Sequence, residues 1–91
     1  MNQIELLKKR QSRLKEDIVA LLDSFVIGTV AKSPSMSGHN LTTKVDGKTV
    51  TLYVRKGIVA KALDMSKSYK KLWSLIQTLS KLNWEILKLE G

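Results

Sequence analysis

The chain has 91 residues, no Cys, one Pro and one His, with sixteen Lys and Arg against eight Asp and Glu. Without Cys it holds no disulfide scaffold, thiolate zinc site or cysteine nucleophile, and a lone His39 argues against a His-based metal site or a Ser–His triad within one chain. No apolar run approaches the roughly 18 residues of a membrane span and no signal peptide opens the chain, so a cytoplasmic protein is expected, and its net charge of +8 draws anionic partners.

Residues 2–23 read as a helix, since they are strong helix formers with no Gly or Pro. Ile4, Leu7, Leu14, Ile18 and Leu21, with Gln11 between them, follow a 3-4 spacing that makes a heptad seam. Leu6 and Leu22 widen that stripe. Lys8, Lys9, Arg10, Arg13 and Lys15 form a basic patch expected to cover one side of the helix.

Residues 25–31 are β-branched and aromatic, which predicts a strand that Gly28 weakens or bulges. Lys32-Ser33-Pro34-Ser35-Met36-Ser37-Gly38 has the composition of a loop. Two alternating runs follow, joined by Asp46-Gly47, the pair that a type I′ turn favours because both central residues need positive φ. A two-residue loop there pairs Val45 with Lys48, Thr43 with Val50 and Leu41 with Leu52. One face then shows Leu41, Thr43, Val45, Val50, Leu52 and Val54, the other Thr42, Lys44, Thr49, Thr51, Tyr53 and Arg55. A slip by one residue would put apolar side chains on both faces, so the register is strongly specified. The expected result is a three-stranded antiparallel sheet over 25–56, turning at 46–47.

Residues 57–90 return to helical spacing. Ile58, Ala62, Met65, Tyr69, Leu72, Ile76, Leu79, Asn83 and Ile86 recur at intervals of four and three, and Leu75, Leu82 and Leu89 add a flanking row. The fold class is therefore α+β in a single domain, 1–91: helix, sheet, long helix. A helix over 57–90 is about 50 Å long, whereas a short strand spans only about 17–20 Å. Much of the second helix must then pack on the first as an antiparallel helical hairpin, and on a second copy in a coiled-coil-like bundle. Leu72, Trp73, Ile76, Leu79, Asn83, Trp84 and Ile86 are the candidate interface for that homodimer or for a larger partner. Gln11 and Asn83 either fix the register of the seam or sit at exposed ends of it.

Ile27-Gly28-Thr29-Val30, Asp46-Gly47-Lys48-Thr49 with Tyr53-Val54, Ser68-Tyr69-Lys70-Lys71-Leu72 and Leu82-Asn83-Trp84-Glu85-Ile86-Leu87 carry a resemblance over most of the chain. They are similar to a family of small helix–hairpin–long-helix proteins often encoded beside transposases and other mobile-element genes. That family typically carries a Cys-rich, Gly-Lys-Pro-containing loop where this chain has residues 32–38, and His-Gly-Pro-Tyr where this one has Gly38-His39-Asn40-Leu41. The resemblance implies a mobile-element setting and no particular activity.

No Asp, Glu and His cluster has metal-ligand spacing, no Gly-rich phosphate loop follows a strand, and His39 has no orienting acid in view. A non-enzyme without cofactor or metal is expected. The hairpin's polar face offers more. Lys44, Tyr53 and Arg55 stand among threonines, with Lys32, His39, Lys48 and Lys56 at the margins, a set suited to phosphate contacts on nucleic acid, DNA first. Lys8, Lys9, Arg10 and Arg13 are the second candidate patch. Ordinary solvation is the stronger explanation of the helix patch and slightly the stronger one of the sheet face, and an interaction module docking through Trp73 and Trp84 is the competing function. Membrane-surface binding ranks below both, because the helix stripe is needed for folding.

Overall fold

The computed structural model describes residues 2–33 and 38–91. In chain order these form α1 (Gln3–Leu21), β1 (Thr29–Lys32), β2 (His39–Val45), β3 (Lys48–Val54), a 3₁₀ turn (Lys56–Ile58) and α2 (Val59–Glu90). The fold is α+β. Of the expected loop, residues 34–37 lie outside the described residues. The chain clusters into two compact units, one helical (1–23 with 71–91) and one containing the sheet (24–70).

In the helical unit, α1 begins one residue later than the spacing suggests because Asn2 is its cap. The Asn2 side-chain oxygen accepts from the Glu5 amide at 2.8 Å, satisfying one of the amides that a helix start leaves unpaired. Asn2→Ala should lower stability by about 1 kcal/mol in urea denaturation. At the other end Leu22 closes the helix, its amide donating to the Val19 carbonyl at 3.2 Å, so 22 and 23 are turn rather than helix.

Every α1 seam position is buried or half-buried, and every other residue of that helix is exposed. Against it lies the second half of α2, antiparallel, with Lys8 bonded to Glu90 at 3.1 Å and Gln11 to Asn83 at 2.7 Å. Leu7, Leu82 and Ile86 form the core, with Leu14 packed beside them. Here one expectation is corrected. The row flanking Leu72, Leu79 and Ile86 that turns inward is Leu75 and Leu82, not Ile76 and Asn83. Polarity decides this: one candidate row contains an amide that is expensive to bury, the other only leucines.

In the other unit the sheet is an antiparallel meander in the order β1-β2-β3. The hairpin register is the one expected, with Val45 opposite Lys48, Thr43 opposite Val50 and Leu41 opposite Leu52. Asp46 and Gly47 take φ of 51° and 80°, as a type I′ turn requires.

The first strand differs. It starts at Thr29, because residues 24–28 are engaged by α2 rather than by β2. The Val26 amide donates to the Met65 carbonyl at 3.1 Å, the Phe25 ring stacks on Tyr69 at 6.3 Å, and the Ser66 hydroxyl donates to the Gly28 carbonyl at 2.6 Å. Gly28 then turns the chain into the sheet at φ 136°, a conformation nearly reserved to glycine. Ser66 and Ser68 leave α2 unbroken.

Candidate nucleic-acid interface

Strand alternation sorts the side chains of the sheet. The face with Val30, Leu41, Thr43, Val50 and Val54 is the more buried, and Val54, 5% exposed, is its deepest point. The opposite face carries Thr29, Thr42, Lys44, Thr49, Thr51 and Tyr53, all exposed. Arg55 follows β3 in extended conformation (φ −65°, ψ 150°) and continues the alternation onto that polar face. Lys44 and Arg55 thus mark its two ends, roughly 20 Å apart at about 3.4 Å per residue.

The seven candidate residues of the sheet therefore do not make one patch. Lys44, Tyr53 and Arg55 share the polar face. Lys32 pairs with His39 and His39 with Val54, which sets all three in one row of the more buried face. Lys48 is on that face too, opposite Val45 at the hairpin tip. Lys56 sits in the 3₁₀ turn. His39 is half-buried, and Lys32, Lys48 and Lys56 are exposed. The cations form a rim around the sheet, with Lys44 and Arg55 on its polar side beside Tyr53.

Charge is unbalanced locally. Between residues 24 and 63 there are six Lys and Arg and one carboxylate, Asp46. Among the described residues the only ion pair joins Lys8 to Glu90, so none of the sheet's cations is neutralised by one. Tyr53 is 68% exposed, and its ring lies against Gly38, where an added Cβ would come within 2.9 Å of it.

Sequence reasoning missed one feature. A depression of about 280 Å³ opens beside the polar face, lined by Ile27, Gly28, Thr42, Thr43, Lys44 and Thr49. Its one signal in the sequence is the glycine inside a β-branched run, which by itself suggests only a weakened strand.

The patch on α1 is divided as well. At 100° per residue, Lys8 and Lys15 fall on the flank of Gln11, Arg10 and Arg13 on the opposite side, and Lys9 on the outer face directly away from the seam. Lys8 is held by Glu90. Arg10 lines a groove with Leu14, Thr78, Lys81, Leu82 and Glu85, where a carboxylate offsets part of the charge.

The candidate interface on α2 splits by burial. Leu72 and Ile86 are interior at 2% and 7% exposed, Leu79 is half-buried, and Asn83 is bonded to Gln11. Trp73, Ile76 and Trp84 remain open to solvent, at 50%, 37% and 58%. Among the described residues no group of three or more His, Asp and Glu could hold a metal ion, and no helix is long and apolar enough to cross a membrane. No family model matches the chain, and neither does any curated protein or solved structure.

Proposed function

We propose that the protein is a small, non-enzymatic nucleic-acid-binding accessory protein, with duplex DNA as its first ligand. The polar face of the hairpin contacts phosphates, and the helices serve self-association. One observation carries this reading: Lys44, Tyr53 and Arg55 stand exposed on a threonine-covered face, and among the described residues no ion pair neutralises the two cations.

Beyond the Thr29–Thr42 pair the hairpin continues as a two-stranded ribbon, residues 43–50, of the kind that fits the major groove of B-DNA. Lysine and arginine at its ends meet phosphates while threonine hydroxyls and Tyr53 supply hydrogen bonds or stacking. The depression at Ile27 and Thr42 gives a sugar or base edge an apolar seat. The resemblance to proteins encoded beside mobile elements adds to this reading.

The test is fluorescence anisotropy of labelled duplex DNA, single-stranded DNA and RNA across a salt series. Lys44→Glu with Arg55→Glu should weaken duplex binding at least tenfold at low salt. The slope of log K against log salt should flatten by about 2 per chain. A binding curve indifferent to salt, or to this double substitution, removes the sheet face from the account. The exposure of Trp73 and Trp84 favours a second reading, in which α2 docks on a larger protein.

A further inference from the structure

The exposed apolar residues in the second half of α2 are not scattered. Trp73, Ile76, Ser80, Trp84 and Leu87 recur at intervals of three, four, four and three, and all five are exposed. At 100° per residue they span about 80° of the helix surface, well removed from the buried row of Leu75, Leu82 and Ile86. All of them belong to the helical unit.

The stripe is symmetric about Ser80. Ile76 and Trp84 stand four residues to either side of it, Trp73 and Leu87 seven. A two-fold axis through Ser80 therefore sets Trp73 of one chain on Leu87 of the other, and Ile76 on Trp84. Each indole then meets an aliphatic side chain, and the smallest residue lies where the helices cross. An isologous contact demands this self-complementarity, in which residue i meets j and j meets i. A helix shaped for an unrelated partner has no need of it.

Charge and area agree. Two chains of +8 repel, so a contact that brings no further cations together is favoured, and none of the five residues is charged. Lys81 and Lys88 sit about 80–100° round the helix from the stripe's centre, where they stay in water. The two tryptophans leave roughly 200–250 Å² bare. With Ile76 and Leu87 the stripe reaches on the order of 350–400 Å², near the largest patch a monomer usually exposes. Two such stripes supply about half of the ~1,600 Å² of a standard interface. Leu22 at 49% exposed and Ile4, half-buried on the same flank of α1 as Gln11, add to the rest.

We infer that a second copy of this chain docks antiparallel on the Trp73–Leu87 stripe, with the two Ser80 residues facing each other across the axis. This deepens the self-association part of the proposed function and does not depend on its nucleic-acid part.

The chain's lack of Cys makes the test clean. Ser80→Cys should give a covalent dimer of twice 10.2 kDa on mild oxidation or with a short bis-maleimide, whereas Ser74→Cys, on another side of α2, should not. In sedimentation the unaltered chain should run as a dimer at micromolar concentration. Trp84→Glu and, separately, Leu87→Lys should run as monomers with an unchanged far-UV spectrum. A monomeric parent chain, a dimer that survives both substitutions, or a Ser74→Cys variant that cross-links more readily than Ser80→Cys overturns the inference. Lys44→Glu with Arg55→Glu should stay dimeric, so loss of DNA binding and loss of the interface are read separately.

Discussion

Gly28→Ala should destabilise the sheet unit by about 3–5 kcal/mol, the sum of two costs at one position. The backbone there has φ 136°, which an L side chain rarely adopts, and an added Cβ would stand 2.4 Å from the Thr42 carbonyl oxygen and 3.0 Å from Leu41 Cδ1. The oxygen is backbone in the neighbouring strand and cannot turn aside as a flexible side chain can. Relief means opening β1 from β2 at the Thr29–Thr42 pair, or breaking the Ser66 bond to the Gly28 carbonyl. A fall in melting temperature of roughly 15–30 °C is expected for a domain of this size, with amide exchange accelerated along β1 and the facing part of β2. Gly57→Ala is the control. Nothing lies within 4 Å of its would-be Cβ and its φ is not positive, so the change should be neutral or stabilise by up to about 1 kcal/mol. Equal effects at the two glycines would show that the sheet entry is not held as described.

That glycine also marks the limit of what the sequence discloses. The hairpin was legible because its information is local: Asp46-Gly47 specifies the turn, and alternation specifies the register. The α1 seam was legible for a similar reason, since one helix with one apolar stripe has only one side to bury. Residues 25–28 mislead because their β-branched character is a preference for a half-buried extended surface, and here a helix supplies that surface in place of a strand. Only the partners of Val26 and Phe25, about forty residues away, separate the two outcomes.

The candidate site was legible in its residue types and less so in its grouping. Lys44, Tyr53 and Arg55 share a face by parity, which the hairpin register carries. Lys32 and His39 depend on how β1 and β2 pair, and that register follows from where the first strand begins. On α1, five nearby basic residues look like one patch in the sequence, yet a helix turns 100° per residue and spreads them over two flanks and the outer face. The stripe symmetric about Ser80 is hidden by the heptad spacing, which places Ile76 in the core and leaves Trp73 and Trp84 as stragglers.

The choice between the two flanking rows of α2 yields the other large expected effect. Leu82→Ala should cost about 3 kcal/mol, because Leu82 is 7% exposed and packs with Leu7 and Ile86, and truncating it leaves a cavity that two helices can close only in part. Asn83→Ala, at the next position, should cost about 0.5–1 kcal/mol, since it breaks one bond to Gln11 at the exposed edge and empties no interior space. The measurement is urea denaturation of both variants against the parent, with unchanged m-values to show that each still unfolds from the same structure. Had the uninterrupted heptad row been the buried one, the order would reverse: Asn83 would hold an interior bond and Leu82 would be a surface leucine whose loss costs little. A larger penalty at 83 than at 82 would therefore overturn the packing of the helical unit. It would also overturn the exposed stripe, because rotating α2 to bury Asn83 carries Ile76 and Leu87 inward with it.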